Sequence, residues 1–306
     1  MDYYTRVNNR YSTNNFKNNP KNDDPIDVLL HKSIKDVYPQ LSVVMPIHNQ
    51  EDRIITTLSS VINNTIDCNY ELILILDSCS DNTETVVLQL VQNIISEWIT
   101  DIIILKSKNP LFETAADNLG FICSRGDHIL EIQADIEIID KGYNTKLHIP
   151  FKIRDDVIGV SGRCCHGLTY SHGVGKLGYD IELPLSELID KNVFYISETC
   201  NRGPLMLDRN KLKMLGYLDE VNYFLDNSDH DLFARAYYEH KFICGYVPIE
   251  FNAPLMFGST RKPRDPLNQR IFEQKKKTCK ENGFLATFLN MKLPSRSILR
   301  VSLYSE

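Results

Sequence analysis

No apolar run in this sequence approaches the roughly 20 residues that a membrane-spanning helix needs. The opening Met1-Asp2-Tyr3-Tyr4 lacks the apolar core of a secretory signal. Those two absences lead to the expectation of a soluble, cytoplasmic protein without a transmembrane segment. A surplus of positive charge is missing too, since 34 Lys and Arg stand against 40 Asp and Glu, a net charge of −6. Nucleic-acid binding draws on a clustered basic surface, so no nucleic-acid partner is expected. The one dense basic run, Lys275-Lys276-Lys277, reads as a solvated helix face. None of the 8 cysteines forms a Cys-x-x-Cys pair, and most lie in apolar stretches. That pattern fits buried free thiols in a reducing compartment rather than a zinc site or a disulfide framework.

What is present is core-forming material. The chain has 306 residues and is 42% hydrophobic, enough for one large domain or two small ones. Residues 1–25 are rich in Asn, Lys, Asp and Tyr with almost no aliphatic residues, a composition that cannot offset the entropy of ordering and predicts a flexible tail. The Asn/Ile/Lys-rich usage fits an AT-rich viral or microbial genome, and for a viral protein the cytoplasm in question is the host's.

A short helix is predicted over Ile26 to Val37, ended by Pro39. Then strand and helix patterns alternate. Leu41 to Met45, Glu71 to Leu76, Ile102 to Leu105 and His128 to Ile132 read as buried strands, and helices follow the first three, carrying Ile54 to Ile62, Val86 to Ile94 and Thr114 to Cys123. Asp81-Asn82-Thr83-Glu84 reads as a capping box opening the second helix. Such alternation implies parallel strands with helices on both faces. Ligands of such sheets lie beyond the carboxyl ends of the strands, which marks Pro46 to Glu51, Asp77 to Asp81, Ser107 to Asn109 and Gln133 to Glu137 as informative. Further along, a strand at Val157 to Ser161, a Gly/His-rich stretch His166 to Gly178 read as a loop, a helix at Leu232 to Tyr238, a strand at Phe242 to Val247 and a C-terminal helix from about Leu267 to Asn282 complete the pattern.

Three acidic segments are candidates to carry chemistry. In an extended chain Glu131, Gln133, Asp135 and Glu137 share one face while Ile132, Ala134, Ile136 and Ile138 share the other. A carboxylate there suits a divalent ion bridging a diphosphate, because Mg²⁺ and Mn²⁺ take hard oxygen ligands; an ordinary amphipathic strand gives the same pattern. Asp77 closes an apolar strand and either caps a turn or meets a ligand's polar edge. Asp229 and Asp231 open an apparent helix, where a cap competes with a general base.

These segments fall in a recognisable order. Ser42-Val43-Val44-Met45-Pro46-Ile47-His48-Asn49-Gln50-Glu51 resembles the opening strand and loop of glycosyltransferase family 2. Glu71 to Asp81 resembles its second strand and Asp-Asp-Gly-Ser-x-Asp turn, with Leu76 in place of the first Asp and Asp77 matching the second. Ala116-Asp117-Asn118-Leu119-Gly120, followed by Gly126-Asp127-His128-Ile129, is similar to the family's Ala-x-Asn-x-Gly and Gly-Asp-Tyr-Ile stretch. Gln133-Ala134-Asp135 falls on the Asp-x-Asp metal motif, and Leu215 to Glu220 with Ser228-Asp229-His230-Asp231-Leu232 resembles the segment that supplies the base.

The resemblance spans about Leu41 to Val247 and implies an α/β fold of GT-A type: a Rossmann-like mixed sheet flanked by helices, in one continuous domain over residues 26–266. Residues 41–140 would hold the nucleotide sugar, residues 141–266 the acceptor, and residues 267–306 would form a C-terminal helix and tail. It implies an inverting, non-processive hexosyl- or N-acetylhexosaminyltransferase that moves one sugar from a UDP-sugar to a glycan, protein or small-molecule hydroxyl. Processive relatives pair a Gln-x-x-Arg-Trp motif with membrane helices, and this chain has neither; its one tryptophan, Trp98, lies far upstream. The nucleotide would rest on Pro46, His48, Asn49, Glu51, Asp77 and Asn118, Mn²⁺ or Mg²⁺ would be held by Asp135, and Asp229 would act as catalytic base. The loop Arg261 to Arg264 would fold over the phosphates and the loop near His172 would admit the acceptor. Gln133 and Ser228 each replace an acid of the family pattern, and Met256-Phe257-Gly258-Ser259 lacks the metal-binding His of many relatives. Those departures leave a catalytically silent nucleotide-sugar-binding protein as an alternative. A nucleotidyltransferase on a related fold is disfavoured, because Pro46 to Glu51 stands where its Gly-rich phosphate loop belongs.

Overall fold

The structure is a computed structural model and describes residues 26–167, 175–179, 189–254, 266–279 and 299–304. The chain opens with β1 (Ile26–Ser33), then alternates β2 (Leu41–Ile47), α1 (Ile54–Asn64), β3 (Tyr70–Asp77), α2 (Thr83–Gln92), β4 (Ile99–Ser107), α3 (Phe112–Cys123) and β5 (His128–Glu131). A short β6 (Glu137–Ile138) and α4 (Tyr143–Ile153) lead into β7 (Val157–Ser161), β8 (Cys164–Gly167), β9 (Gly175–Gly178), β10 (Val193–Ser197), β11 (Thr199–Cys200) and β12 (Leu205–Asp208). Helices α5 (Arg209–Met214) and α6 (Ser228–His240) precede β13 (Ile243–Tyr246), β14 (Phe251–Asn252), α7 (Pro266–Thr278) and β15 (Leu299–Ser302).

Ten strands form one mixed sheet in the order β1-β4-β3-β2-β5-β12-β7-β13-β10-β15. β2, β3, β4 and β5 run parallel, while β12 lies antiparallel between β5 and β7. The apolar runs explain the layering. Every residue of β3 is buried; Leu72, Leu74 and Leu76 pack with Ile54, Leu58, Val61 and Val87 on one face, and Ile73 and Ile75 pack with Ala115, Ala116 and Leu119 on the other. Burying each such side chain stabilises the fold by about 1.5–3 kcal/mol, so a strand apolar on both faces is held only between helices. Gly120 sets the spacing on the second face: a Cβ there would lie 2.2 Å from Val44 Cγ1. All eight cysteines are free, five of them buried.

Four local expectations are corrected. Ile26 to Val37 is not a helix: Ile26–Ser33 pairs antiparallel with β4, with a register shift between Val28 and Leu30. The edge of β4 offers unpaired backbone groups, and satisfying them outweighs a short uncapped helix. Asp81 to Glu84 makes no capping box. Asp81 accepts from the Thr83 and Glu51 amides, while Glu84 turns outward to Lys106 at 2.6 Å. Finally, the chain leaves the sheet at Glu131 and turns, the Ile136 amide donating to the Gln133 carbonyl at 3.2 Å. Ile132, Ala134, Ile136 and Ile138 still reach the core, but Glu131 is wholly buried rather than facing the crevice. The segment predicted as a loop from His166 to Gly178 begins and ends in strands, β8 and β9 pairing antiparallel. His172 and the segments Met256 to Ser259 and Arg261 to Arg264 lie outside the described residues.

Candidate active site

Two loops beyond the carboxyl ends of β2 and β3 are laced together. The His48 ring Nδ1 lies 2.6 Å from the Asp77 carbonyl. Asn49, at φ 49°, accepts from the Ser80 amide at 2.8 Å and donates to the Ser80 hydroxyl at 3.1 Å. The Glu51 carboxylate accepts from the Asn82 amide at 2.8 Å, and the Gln50 amide donates to Thr83 at 2.7 Å. Pro46 lies half-buried at the end of β2 beneath this lacing. The structure therefore brings Pro46, His48, Asn49, Glu51 and Asp77 together.

Asp77 is buried, and its two carboxylate oxygens accept from the Leu111 and Phe112 amides at 2.6 and 2.9 Å. It caps a turn, though the turn before α3 rather than the one following its own strand. Burial pushes its carboxyl above the ordinary range, against the Leu111 and Phe112 amides and the nearby His48 and Lys275. α7 lies over this region: Phe272 meets Phe112 and Phe224 edge-on or tilted, and Lys275 stands 5.8 Å over the Phe112 ring. Of the basic run, only Lys276 and Lys277 are exposed as the sequence suggests.

Asn118 sits elsewhere. It is wholly buried, its amide donating to the Leu218 carbonyl at 2.9 Å and its oxygen accepting from the Leu218 amide at 3.0 Å.

Asp135, half-buried, lines a cavity of about 360 Å³ with Asp52, Arg53, Thr56, Glu137 and Asn252. Asn252 donates to Glu137 at 3.0 Å. The carboxylates of Asp135 and Glu137 are hard oxygen donors of the kind that Mg²⁺ and Mn²⁺ accept, with phosphates completing the shell. Among the described residues no group of three His, Cys, Asp or Glu is close enough to hold an ion unaided. Gln133 does not fit as a ligand: its amide donates to Glu113 at 2.9 Å and its oxygen accepts from Arg163 at 2.9 Å.

Asp229, 6% exposed in the first turn of α6, accepts from the Arg202 amide at 3.1 Å and from the His230 amide at 2.8 Å. Burial opposes its charge, but His230, Arg202 and those two amides outweigh burial and hold its carboxyl below the ordinary range. Ser228, standing where the family pattern has an acid, accepts from the Thr114 hydroxyl at 3.1 Å and ties α6 to α3.

Sequence reading missed the group that connects these parts. The Arg202 guanidinium, 5% exposed, donates to Asp117 at 2.6 Å and to the Leu225 carbonyl at 2.5 Å, with Glu113 at 3.6 Å and Asp229 at 3.8 Å. Burial works against its charge, yet Glu113, Asp117, Asp229 and Glu131 raise its pKa well above the ordinary value. Gly203, at φ +66°, donates its amide to Glu131 at 2.8 Å, and a Cβ there would lie 2.8 Å from the Gln133 side chain. A run of hydrogen bonds, with one ion pair between Glu113 and Arg202, thus joins Arg163, Gln133, Glu113, Arg202 and Asp229. The available signal was the polar run Glu198 to Arg202 ahead of Gly203-Pro204, and Asp117 between Ala116 and Asn118 in the predicted helix Thr114 to Cys123.

Residues 42–164 match the family model described as Glycosyl transferase family 2. The chain is similar to TarP, a poly(ribitol-phosphate) beta-N-acetylglucosaminyltransferase of Staphylococcus aureus strain N315, at 25% identity over 182 residues, 57% of this chain and 52% of that protein. It is similar also to a dolichyl-phosphate beta-glucosyltransferase of Dictyostelium discoideum, at 27% identity over 147 residues, 46% of this chain and 41% of the relative. The chain spans about half the length of the curated relatives it matches. Among solved structures, GalNAc-T7 with UDP, GalNAc and Mn²⁺ aligns with a TM-score of 0.56 at 15% identity, over 86% of this chain and 53% of that one. S. aureus TarS 1–349 in complex with UDP-GlcNAc aligns with a TM-score of 0.51 at 15% identity, over 82% and 72%. The fold is of GT-A type, as the sequence resemblance implied, and no helix among the described residues is long and apolar enough to cross a membrane.

Proposed function

We propose that this chain, whose residues 42–164 match the Glycosyl transferase family 2 model, moves a single sugar from a UDP-sugar to an acceptor hydroxyl, with inversion at the anomeric carbon. The observation that carries this reading is that the segment leaving β5 sets Asp135 on the wall of a cavity, while Gln133, two residues before it, is tied through Glu113 and Arg202 to the buried, ionised Asp229. The laced loop of His48, Asn49 and Glu51, with Asp77 beneath it, offers the nucleotide a floor that is already ordered. Asn118 acts at one remove, by fixing Leu218.

Asp135, with Glu137 beside it, would hold Mg²⁺ or Mn²⁺ together with the donor's diphosphate. When bound, that ion supplies positive charge opposite the departing phosphate oxygens. The exposed Arg53 lines the same cavity and adds a cation from the protein. Asp229 takes the proton of the acceptor hydroxyl as the acceptor oxygen bonds to the anomeric carbon. The bond from that carbon to the β-phosphate oxygen breaks, and UDP leaves with its electron pair. Displacement from the opposite face inverts the configuration.

UDP-N-acetylglucosamine is the first donor to test, since TarS is solved with it and TarP is an N-acetylglucosaminyltransferase. UDP release from a panel of UDP-sugars with Mn²⁺, to water or to added acceptors, is the assay. Asp229→Asn is expected to abolish release while leaving UDP binding in place; full activity in that variant would sink the assignment of the base. The neutral Gln133 keeps a second reading alive, a protein that binds nucleotide sugar without turning it over. Donor binding with no UDP release across the panel would favour it.

A further inference from the structure

Resting on the reading of Asp229 as the base, we propose that Arg202 is a positioning residue that holds the Asp229 carboxylate in place by hydrogen bond and charge, and is itself locked by Asp117, Glu113 and the Leu225 carbonyl behind it.

The geometry leaves Arg202 little freedom. Its backbone amide and its side-chain Nε both approach the same Asp229 oxygen, at 3.1 and 3.8 Å. Its two terminal nitrogens are fixed by Asp117 at 2.6 Å and by the Leu225 carbonyl at 2.5 Å. A planar guanidinium anchored at both ends cannot swing away from Asp229 without breaking buried charged hydrogen bonds. Every element packed around the base contributes a titratable group. Arg202 enters between β11 and β12, Asp117 and Glu113 come from α3, Glu131 from β5, Cys200 from β11 and His230 from α6, with the His166 ring 4.9 Å from that of His230.

Charge counting shows which carboxylate keeps its charge. One guanidinium faces three buried carboxyl groups and the half-buried Glu113, and four charges against one is not tolerated in such a setting. Asp117 and Glu131 each have one oxygen bonded, to Arg202 and to the Gly203 amide respectively, and a second oxygen, buried, with no hydrogen-bond partner. An unpartnered carboxylate oxygen is an unfavourable place for charge and a favourable place for a proton. Burial, with Glu113 and Asp229 adding to it against Arg202, lifts Asp117 to about 7. Burial and Asp117 raise Glu131 as well. Asp229 alone of the three moves the other way. The cluster therefore sorts its protons: Asp117 and Glu131 retain them, and the negative charge that Arg202 balances stays on the base.

The test is the pH profile of UDP release from UDP-N-acetylglucosamine with Mn²⁺. Removing an opposite charge at this range moves a carboxyl by about one to three pH units. Arg202→Gln, confirmed folded by near-ultraviolet circular dichroism, is expected to shift the acidic limb upward by that amount. It should lower kcat by roughly tenfold or more while KM for the donor stays nearly constant. Asp117→Asn keeps a neutral group where Asp117 holds its proton, so its acidic limb is expected to coincide with the parental one. Arg202→Lys keeps the cation but loses one of the two anchored terminal nitrogens, so it is expected to lower kcat with a limb between those of the parent and Arg202→Gln. A folded Arg202→Gln protein with the parental limb and kcat overturns the proposal. If that variant does not fold, a parental kcat and limb in Arg202→Lys overturn it equally, as does a displaced limb in Asp117→Asn. Asp229→Asn in the same assay separates the two failures. Full turnover there removes the reading of the base, whereas lost turnover beside an unmoved limb in the Arg202 variants removes only the role of Arg202.

Discussion

Replacing Asn118 by alanine separates a fold contact from a ligand contact. The family resemblance puts Asn118 under the nucleotide, whereas the structure buries it completely and closes both ends of its amide on Leu218. Alanine would leave the Leu218 N–H and C=O without partners in the interior. Each such group costs about 1–3 kcal/mol, so roughly 2–6 kcal/mol of stability is at stake. For a chain of this size each kcal/mol moves the melting temperature by about 2–4 °C, and a fall of roughly 5 °C or more is expected. Differential scanning calorimetry gives that number, and calorimetric titration of UDP at a temperature well below both midpoints gives the affinity. The expected pair of results is a large loss of stability with unchanged UDP affinity. An unchanged midpoint with weakened UDP binding would refute this placing of Asn118 and restore it to the nucleotide site.

Two further outcomes follow from the buried cluster. Gly203→Ala forces a side chain into the φ +66° region and against Gln133; a destabilisation of about 1–3 kcal/mol is expected in urea unfolding, and an unchanged midpoint would argue against the close approach. Asp117 has a carboxyl lifted to about 7 in the folded chain, above its unfolded value, so the folded state binds the extra proton. Its contribution to stability is complete below the unfolded value and is lost as pH rises through about 7. Asp117→Asn should therefore narrow the gap between the melting temperatures at pH 5 and pH 8, and an identical gap would show that Asp117 is already ionised at pH 5.

What the sequence disclosed depended on whether the governing contacts were local. The strand-and-helix order from Leu41 to Ile132 was legible because buried parallel strands are written as continuous Ile, Leu and Val runs, and β3 and β4 sit where those runs lie. The strand Val157–Ser161 was legible for the same reason. β1 was not, since its partner is the remote edge of β4 and its own residues are only half-buried. At the site, the positions of Asp77, Asp135 and Asp229 could be located from pattern and resemblance, but not what their oxygens meet. Asp77 meets amides 34 and 35 residues away, and Arg202 meets Asp117 across 85 residues of chain. No periodicity reports contacts at that separation. Gln133 shows the limit most plainly: as a substitution it read as a lost charge, and only the fold places its amide between Glu113 and Arg163.

The lacing between residues 48–51 and 78–83 also bears on how such a chain tolerates change. Glu51 holds Asn82, Asp81 holds Glu51, and Asn49 and Ser80 hold each other. Neither loop has an independent length, because one residue inserted in either would take several of these partners out of reach together. Insertions that most surface loops absorb are therefore closed to this pair unless both loops are altered at once. Library diversification aimed at a different nucleotide should vary the two segments jointly and at fixed length.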